Sequence, residues 1–148
     1  MDIESLLKSL QDHKVRFVII GAAAFPVHGY ARATLDTDIF IQPSENNASK
    51  CLTALKDFGY DVSQITAAEL LKKKTLIRQY LVEVDIHPYV TGVTFQGVWK
   101  RKVKDKIGKA ETYFASLDDL IKMKRAAGRP KDREDLKILL KLKKAKKR

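Results

Sequence analysis

A chain of 148 residues, 45% hydrophobic and 32% charged, reads as an ordinary soluble globular protein of one domain over residues 1–148, long enough to bury a real core. Its lone Cys51 rules out an internal disulfide and fits a reducing cytosol; with neither a signal-peptide pattern nor an apolar run of transmembrane length, a cytoplasmic protein without a membrane partner is expected. The formal net charge of +11 is uneven, because Lys137 to Arg148 hold seven Lys/Arg and no acid, and this basic tail, ending in residues 143–148, either binds a nucleic acid such as RNA or only solubilises the chain end.

In chain order, Ile3, Leu6, Leu7 and Leu10 recur at helical spacing and predict an amphipathic helix over residues 2–13. Residues 15–20 are β-rich and almost wholly apolar, as in a strand covered on both faces. Gly21 marks a turn, and residues 22–27 form a short helical piece in which Pro26 is tolerable only near the first turn. A second strand covers residues 36–42 and stops at Pro43. Ser44 then N-caps a helix whose buried stripe is Ala48, Cys51, Leu52, Leu55 and Phe58, with Gly59 just past its end. Residues 60–62 read as a short strand and 67–71 as a helical turn or two. Residues 75–87 read as two strands with a break near Gln79-Tyr80. In the second, Val82, Val84 and Ile86 take one face while Glu83, Asp85 and His87 take the other.

Residues 95–99 show no clear period, whereas 103–107 and 111–114 read as a hairpin around Gly108-Lys109. Ser116 to Asp119 fits a capping box, and Leu117, Leu120 and Ile121 begin a helix face. That face continues to Lys124, whose stem packs while its ammonium reaches out. Gly128-Arg129-Pro130 breaks this helix, and residues 131–143 form the last one with Leu136, Leu139 and Leu140 inward. Alternating helices and strands followed by a helical pair predict an α/β two-layer or α+β architecture.

The chemistry concentrates where an apolar strand stops at Gly21 and the next strand opens with Asp36 and Asp38. Alternate strand residues share a face, so these carboxylates project together, roughly 6–7 Å apart at their Cα atoms. Such a pair repels unless a cation sits between its members, and Mg²⁺ prefers carboxylate oxygens. Asp85, with Glu83 as a second candidate, supplies a third acid from a neighbouring strand. Three such carboxylates can hold two Mg²⁺ ions that clamp the attacking and leaving oxygens of a phosphoryl displacement. Backbone N–H groups at Gly21 would meet anionic phosphates without a side chain in the way, and Arg32 would add a cationic contact.

This set, apolar-Gly21-Ala22, then Asp36-x-Asp38, then Asp85 between Val84 and Ile86, resembles the nucleotidyltransferase superfamily with a DNA polymerase β-like fold. Within it, His28-Gly29 followed by Arg32-x-Thr34-x-Asp36-x-Asp38 is similar to small proteins grouped with the AbiEii-type toxins. So is the run Leu120-Ile121-x-x-Lys124 followed by Gly128-Arg129-Pro130-Lys131-Asp132-x-x-Asp135-Leu136. The resemblance implies an α+β fold: a mixed sheet with helices packed on it over about 1–114, then a helical pair over about 116–143. It implies that Asp36, Asp38 and Asp85 are catalytic and ligate two Mg²⁺, with Mn²⁺ as a substitute, and that Asp85 helps to activate the acceptor hydroxyl. Gly21, Ala22, Arg32, Thr34, Lys124 and Arg129 would bind the nucleotide or its phosphates, with Asp132 bordering the cleft. The implied substrate is an NTP such as ATP. The acceptor would be an RNA end (tRNA included), a protein or a small molecule, and a protein partner would follow from a toxin–antitoxin pairing. Where that superfamily usually has Gly-Gly or Gly-Ser, this chain has Gly21-Ala22, so the phosphate contact falls to the backbone alone.

Plainer alternatives stand beside these. Gly21 is otherwise only a tight turn, and Arg32 otherwise pairs with Asp36 or Asp38. Lys124, Arg129 and Asp132 otherwise form a salt-bridge knot closing the helical pair. His28 and His87 are otherwise helix-end or surface histidines, and Cys51 is a core residue. There is no Walker loop, dinucleotide fingerprint, zinc spacing or Gly-x-Ser-x-Gly, which removes the main competing enzyme classes. A nucleotide-binding or partner-binding module without catalysis remains the competing function.

Overall fold

Every residue of β1 (Phe17–Ile20) is buried, and the sheet is built outward from it. β2 (Asp36–Ile41) runs antiparallel on one side with Ile20 opposite Asp38, and β6 (Ala110–Phe114) runs parallel on the other. β4 (Glu83–His87) lies parallel to β2, β3 (Thr75–Ile77) antiparallel to β4, and β5 (Val103–Ile107) antiparallel to β6. The result is a mixed six-stranded sheet in the order β3-β4-β2-β1-β6-β5. This computed structural model describes residues 2–34 and 36–147. Met1, Leu35 and Arg148, the last residue of the basic tail, lie outside the described residues.

α1 (Ile3–Asp12) starts at Asp2, whose carboxylate accepts the Ser5 N–H at 2.8 Å, and buries Leu6, Leu7 and Leu10. α2 (Glu45–Phe58) is capped by Ser44 as expected and buries Ala48, Cys51, Ala54 and Leu55. Asn47 in its first turn is buried too. Its amide accepts the Arg16 N–H at 2.8 Å and donates to the carbonyls of Arg16 and Gln42 at 3.0 Å each. It thereby ties the helix start to the entry of β1 and the exit of β2. Burial pushes the Cys51 thiol up to about 12, the behaviour of a core residue. Leu6, Leu10, Ile19, Ile39, Ile41, Leu55, Ile86 and Phe114 are fully buried together, each contributing about 1.5–3 kcal/mol of burial free energy.

Expectations for residues 60–62, for the extent and inward face of the last helix and for Lys124 are corrected. Residues 60–62 are not a strand. Asp61 instead gives its N–H to the Gln79 side-chain carbonyl and takes the Gln79 amide N–H at its own carbonyl, 2.8 and 2.9 Å, so one side chain does the pairing of a neighbouring strand. Residues 95–99 belong to a helix, α4 (Phe95–Lys100), with Thr94 accepting the Gly97 N–H. Phe95 meets Phe40 of β2 edge-on at 5.2 Å, which sets α4 on the face of the sheet that carries Phe40. The first helix of the C-terminal pair, α5 (Leu117–Ala127), is capped by Ser116 as expected. The second, α6 (Pro130–Lys146), runs past residue 143, taking most of the basic tail into the helix.

The inward face of α6 is also rotated from the expected one. Leu139 is buried, Leu136 half-buried and Leu140 39% exposed, while Asp132 and Asp135 turn inward. Lys124 correspondingly does not reach out: its ammonium lies in the seam between α5 and α6. α3 (Ala67–Lys72) stands where a helical turn was expected. Among the described residues, no helix is long and apolar enough to cross a membrane.

Candidate functional site

The chain leaves β1 through Gly21 at φ +68°, and a Cβ added there would lie 2.7 Å from Oδ2 of Asp38. Both the left-handed conformation and the close approach demand glycine. Two short 3₁₀ turns follow, Gly21–Ala24 and Pro26–His28, and the chain re-enters the sheet at Asp36. Thr34 braces that entry: its hydroxyl donates to the Asp36 carbonyl at 2.9 Å and accepts the Asp36 N–H at 3.3 Å.

The register of β2 and β4 then assembles the acids. Asp36 is opposite Glu83, Asp38 opposite Asp85, and Phe40 opposite His87, so all six side chains project from one face. Asp36, Asp38 and Asp85 therefore share one face of adjoining strands, as strand periodicity leads one to expect. His87 belongs to the same group, its Nε2 lying 2.8 Å from Asp38 Oδ1. Its placement on this face excludes a purely superficial position.

The cation standing among three of these acids is a residue the sequence reading passed over. Arg78 follows β3, just before Tyr80 turns the chain back at φ +61°, and its guanidinium reaches three carboxylates. Nη1 is 2.5 Å from Asp85 Oδ1, Nη2 is 3.4 Å from Asp36 Oδ2, and Nε is 3.5 Å from Glu83 Oε2. The hydrogen bond to Asp85 raises the Arg78 pKa further, so the group stays charged. Glu83 is lifted above the ordinary carboxylate range. A hydrogen bond with Asp36 is the main cause, then desolvation and the Asp36 charge, with Arg78 opposing. The available signal was that Arg78 is the sole Lys or Arg between Lys74 and Trp99's neighbour Lys100, in a stretch holding two strand acids.

The donor set fits a hard divalent ion in kind: three or four carboxylates on adjoining strands, around a position where a cationic group already stands. The rotamers are drawn apart, Asp36, Glu83 and Asp85 toward Arg78 and Asp38 toward His87. As they stand, no group of three His, Cys, Asp or Glu side chains among the described residues could hold a metal ion.

The expected phosphate-binding cations form a second cluster. Arg32 Nη1 lies 2.5 Å from each carboxylate oxygen of Asp135. Lys124 Nζ is 3.2 Å from Asp132 and 3.1 Å from Asp135, and Arg129 Nε is 2.6 Å from Asp132. Arg32 thus pairs with Asp135 of α6, not with Asp36 or Asp38. Hydrogen bonding from Arg129, outweighing desolvation and assisted by Lys124, holds Asp132 down at about 2. His28 is a buried tie beside this cluster. Its Nε2 faces the Ala115 carbonyl at 2.9 Å and its Nδ1 faces Lys146 at 3.4 Å, and desolvation lowers its pKa. A cavity of about 670 Å³ is lined by Ala22, Arg32, Thr34 and Glu83, with Ala23, Val27 and Val82 supplying apolar wall. The three aspartates do not line it.

A family model described as "Nucleotidyltransferase of unknown function (DUF6036)" matches residues 1–141. No curated protein matches the chain.

Proposed function

Since the chain belongs to this family of nucleotidyltransferases of unknown function, we propose that it moves a nucleoside monophosphate from an NTP to an acceptor hydroxyl. In that reaction the acceptor oxygen bonds to the α-phosphorus, the bond from the α-phosphorus to the bridging oxygen breaks, and pyrophosphate leaves. The observation that carries the reading is the register pairing of Asp38 with Asp85, with Asp36 on the same face and the left-handed turn of Gly21 against Asp38.

Asp36, Asp38 and Asp85 would hold Mg²⁺, two ions in the full complement and Mn²⁺ as a substitute. When bound, the ions supply charge neutralisation for the transferring phosphoryl group. Asp85, only 9% exposed at its side chain, would help to activate the acceptor hydroxyl. The backbone at Gly21 and Ala22 would face the phosphates, with Thr34 and Arg32 on the cavity wall beside them. Lys124 and Arg129 support the site at one remove, by fixing Asp132 and Asp135 and through Asp135 the position of Arg32. Among acceptors, RNA is supported by the outward lysines of α6, Lys141 and Lys144, with Lys147 just beyond the helix.

The test is incubation of the purified protein with each labelled NTP, Mg²⁺ and a cell extract. Label transfer by the wild type that disappears in Asp38→Asn supports the reading. NTP binding without transfer to any acceptor favours the second one, a nucleotide-binding or partner-binding module such as half of a toxin–antitoxin pair. Ala22, which offers no hydroxyl to a phosphate, supports that alternative.

A further inference from the structure

Three acids, Asp36, Glu83 and Asp85, share one guanidinium. A single positive charge leaves such a cluster short of neutrality whenever all three are ionised, and a divalent cation would neutralise it more fully. The three nitrogens of the Arg78 fork each face a different carboxylate, so the guanidinium lies among the same oxygens a metal ion would need. The guanidinium and a metal ion cannot occupy that space together.

The two sides of this contact differ in how firmly they are held. Asp85 sits within β4, paired to both β2 and β3, with its side chain 9% exposed. Arg78 lies beyond the end of β3, a three-residue edge strand, with its side chain 39% exposed. In the turn that follows, Gln79 is tied to Asp61, but Tyr80 has a positive φ and Leu81 is 97% exposed. If the pair separates, Arg78 is the partner that moves.

We propose that Arg78 is the resident counter-cation of this cluster and competes with divalent metal for Asp85 and Asp36, so that metal enters only as Arg78 swings out. The inference rests on the metal-site reading above. It makes the observed rotamers one state of a two-state site. Apparent metal affinity is then the intrinsic affinity multiplied by the fraction of molecules in which Arg78 is disengaged.

The experiment is a Mn²⁺ titration followed by calorimetry and by electron paramagnetic resonance of the free ion, with thermal unfolding alongside. It uses the full chain as wild type, Arg78→Gln, Arg78→Lys and Asp38→Asn. Arg78→Gln is expected to bind Mn²⁺ about tenfold more tightly than wild type. It is also expected to melt lower without metal and to gain more in melting temperature when metal is added. Arg78→Lys keeps the charge but loses the fork, so its affinity falls between the two, and it carries the test should the glutamine variant fail to fold. Binding that is equal in the wild type and both Arg78 variants, yet lost in Asp38→Asn, overturns the competition while leaving the metal site standing. No Mn²⁺ binding in any variant, or binding unaffected by Asp38→Asn, removes the metal-site reading and this inference with it.

Discussion

A methyl group on Gly21 would sit 2.7 Å from the Asp38 carboxylate, so the turn after β1 and the second acid of β2 are fitted to each other. Replacing Gly21 by Ala is expected to cost about 1–2 kcal/mol from the left-handed backbone alone, with the contact adding to it. The two parts separate in a double-mutant cycle. Asp38→Ala should relieve the contact part, making Gly21→Ala less costly in that background. Equal costs in both backgrounds, measured by urea unfolding, would show that the close approach carries no energy.

Asp132 links stability to pH. Its carboxyl is held at about 2 against an ordinary 3.8, so its folded pKa is depressed. The stability it contributes is therefore fully present above about pH 4 and lost as pH falls toward 2. Its side chain is 1% exposed, but that of Arg129 is 71% exposed, so water screens part of the interaction and about 1–2 kcal/mol is expected. Unfolding free energies of wild type and Asp132→Asn should differ by that amount near pH 7 and converge toward pH 2. A difference independent of pH would contradict the assignment.

Arg32 and Asp135 join the β1–β2 connection to α6 through a largely buried ion pair. Removing Arg32 alone leaves Asp135 with Lys124 as its remaining partner, and Arg32→Ala should destabilise by about 3 kcal/mol. Arg32→Met combined with Asp135→Leu should recover much of that loss. If the double variant is instead as unstable as the single one, the pair is needed for more than charge compensation. Where nucleotidyl transfer is established, a rise in KM for NTP in the stable double variant would add a direct phosphate contact to this structural role.

Ala22 lines the cavity beside Gly21 and lacks the hydroxyl that a serine would offer to a phosphate. Ala22→Ser should raise kcat/KM for transfer by roughly three- to tenfold, the worth of one added hydrogen bond. No gain, with unchanged stability, would mean that position 22 does not face the nucleotide.

The parts of this protein legible in the sequence were those with local causes. Ser44 and Gly59 bracket α2 because caps act within one helical turn. The buried run of β1 declares a central strand, and Asp36, Asp38, Glu83 and Asp85 share a face because strand periodicity dictates it. Gln79 standing in for a strand neighbour of Asp61 could not be read, since the pairing is made by a side chain 18 residues away. Leu140 was expected inside on its apolar character. The inward positions of α6 went instead to Asp132 and Asp135, whose partners Arg32 and Lys124 lie on other elements.

The opening carboxylate pair shows the same division. By itself, the sequence determined that Asp36 and Asp38 project together next to a glycine turn, and that two like charges so placed require a cation. Which cation is present in the folded chain was decided only by tertiary structure. Arg78 is 42 residues from Asp36, and only the antiparallel return of β3 onto β4, beside β2, carries its guanidinium to those acids. Charges find their partners through space, and spacing along a chain specifies faces but not neighbours.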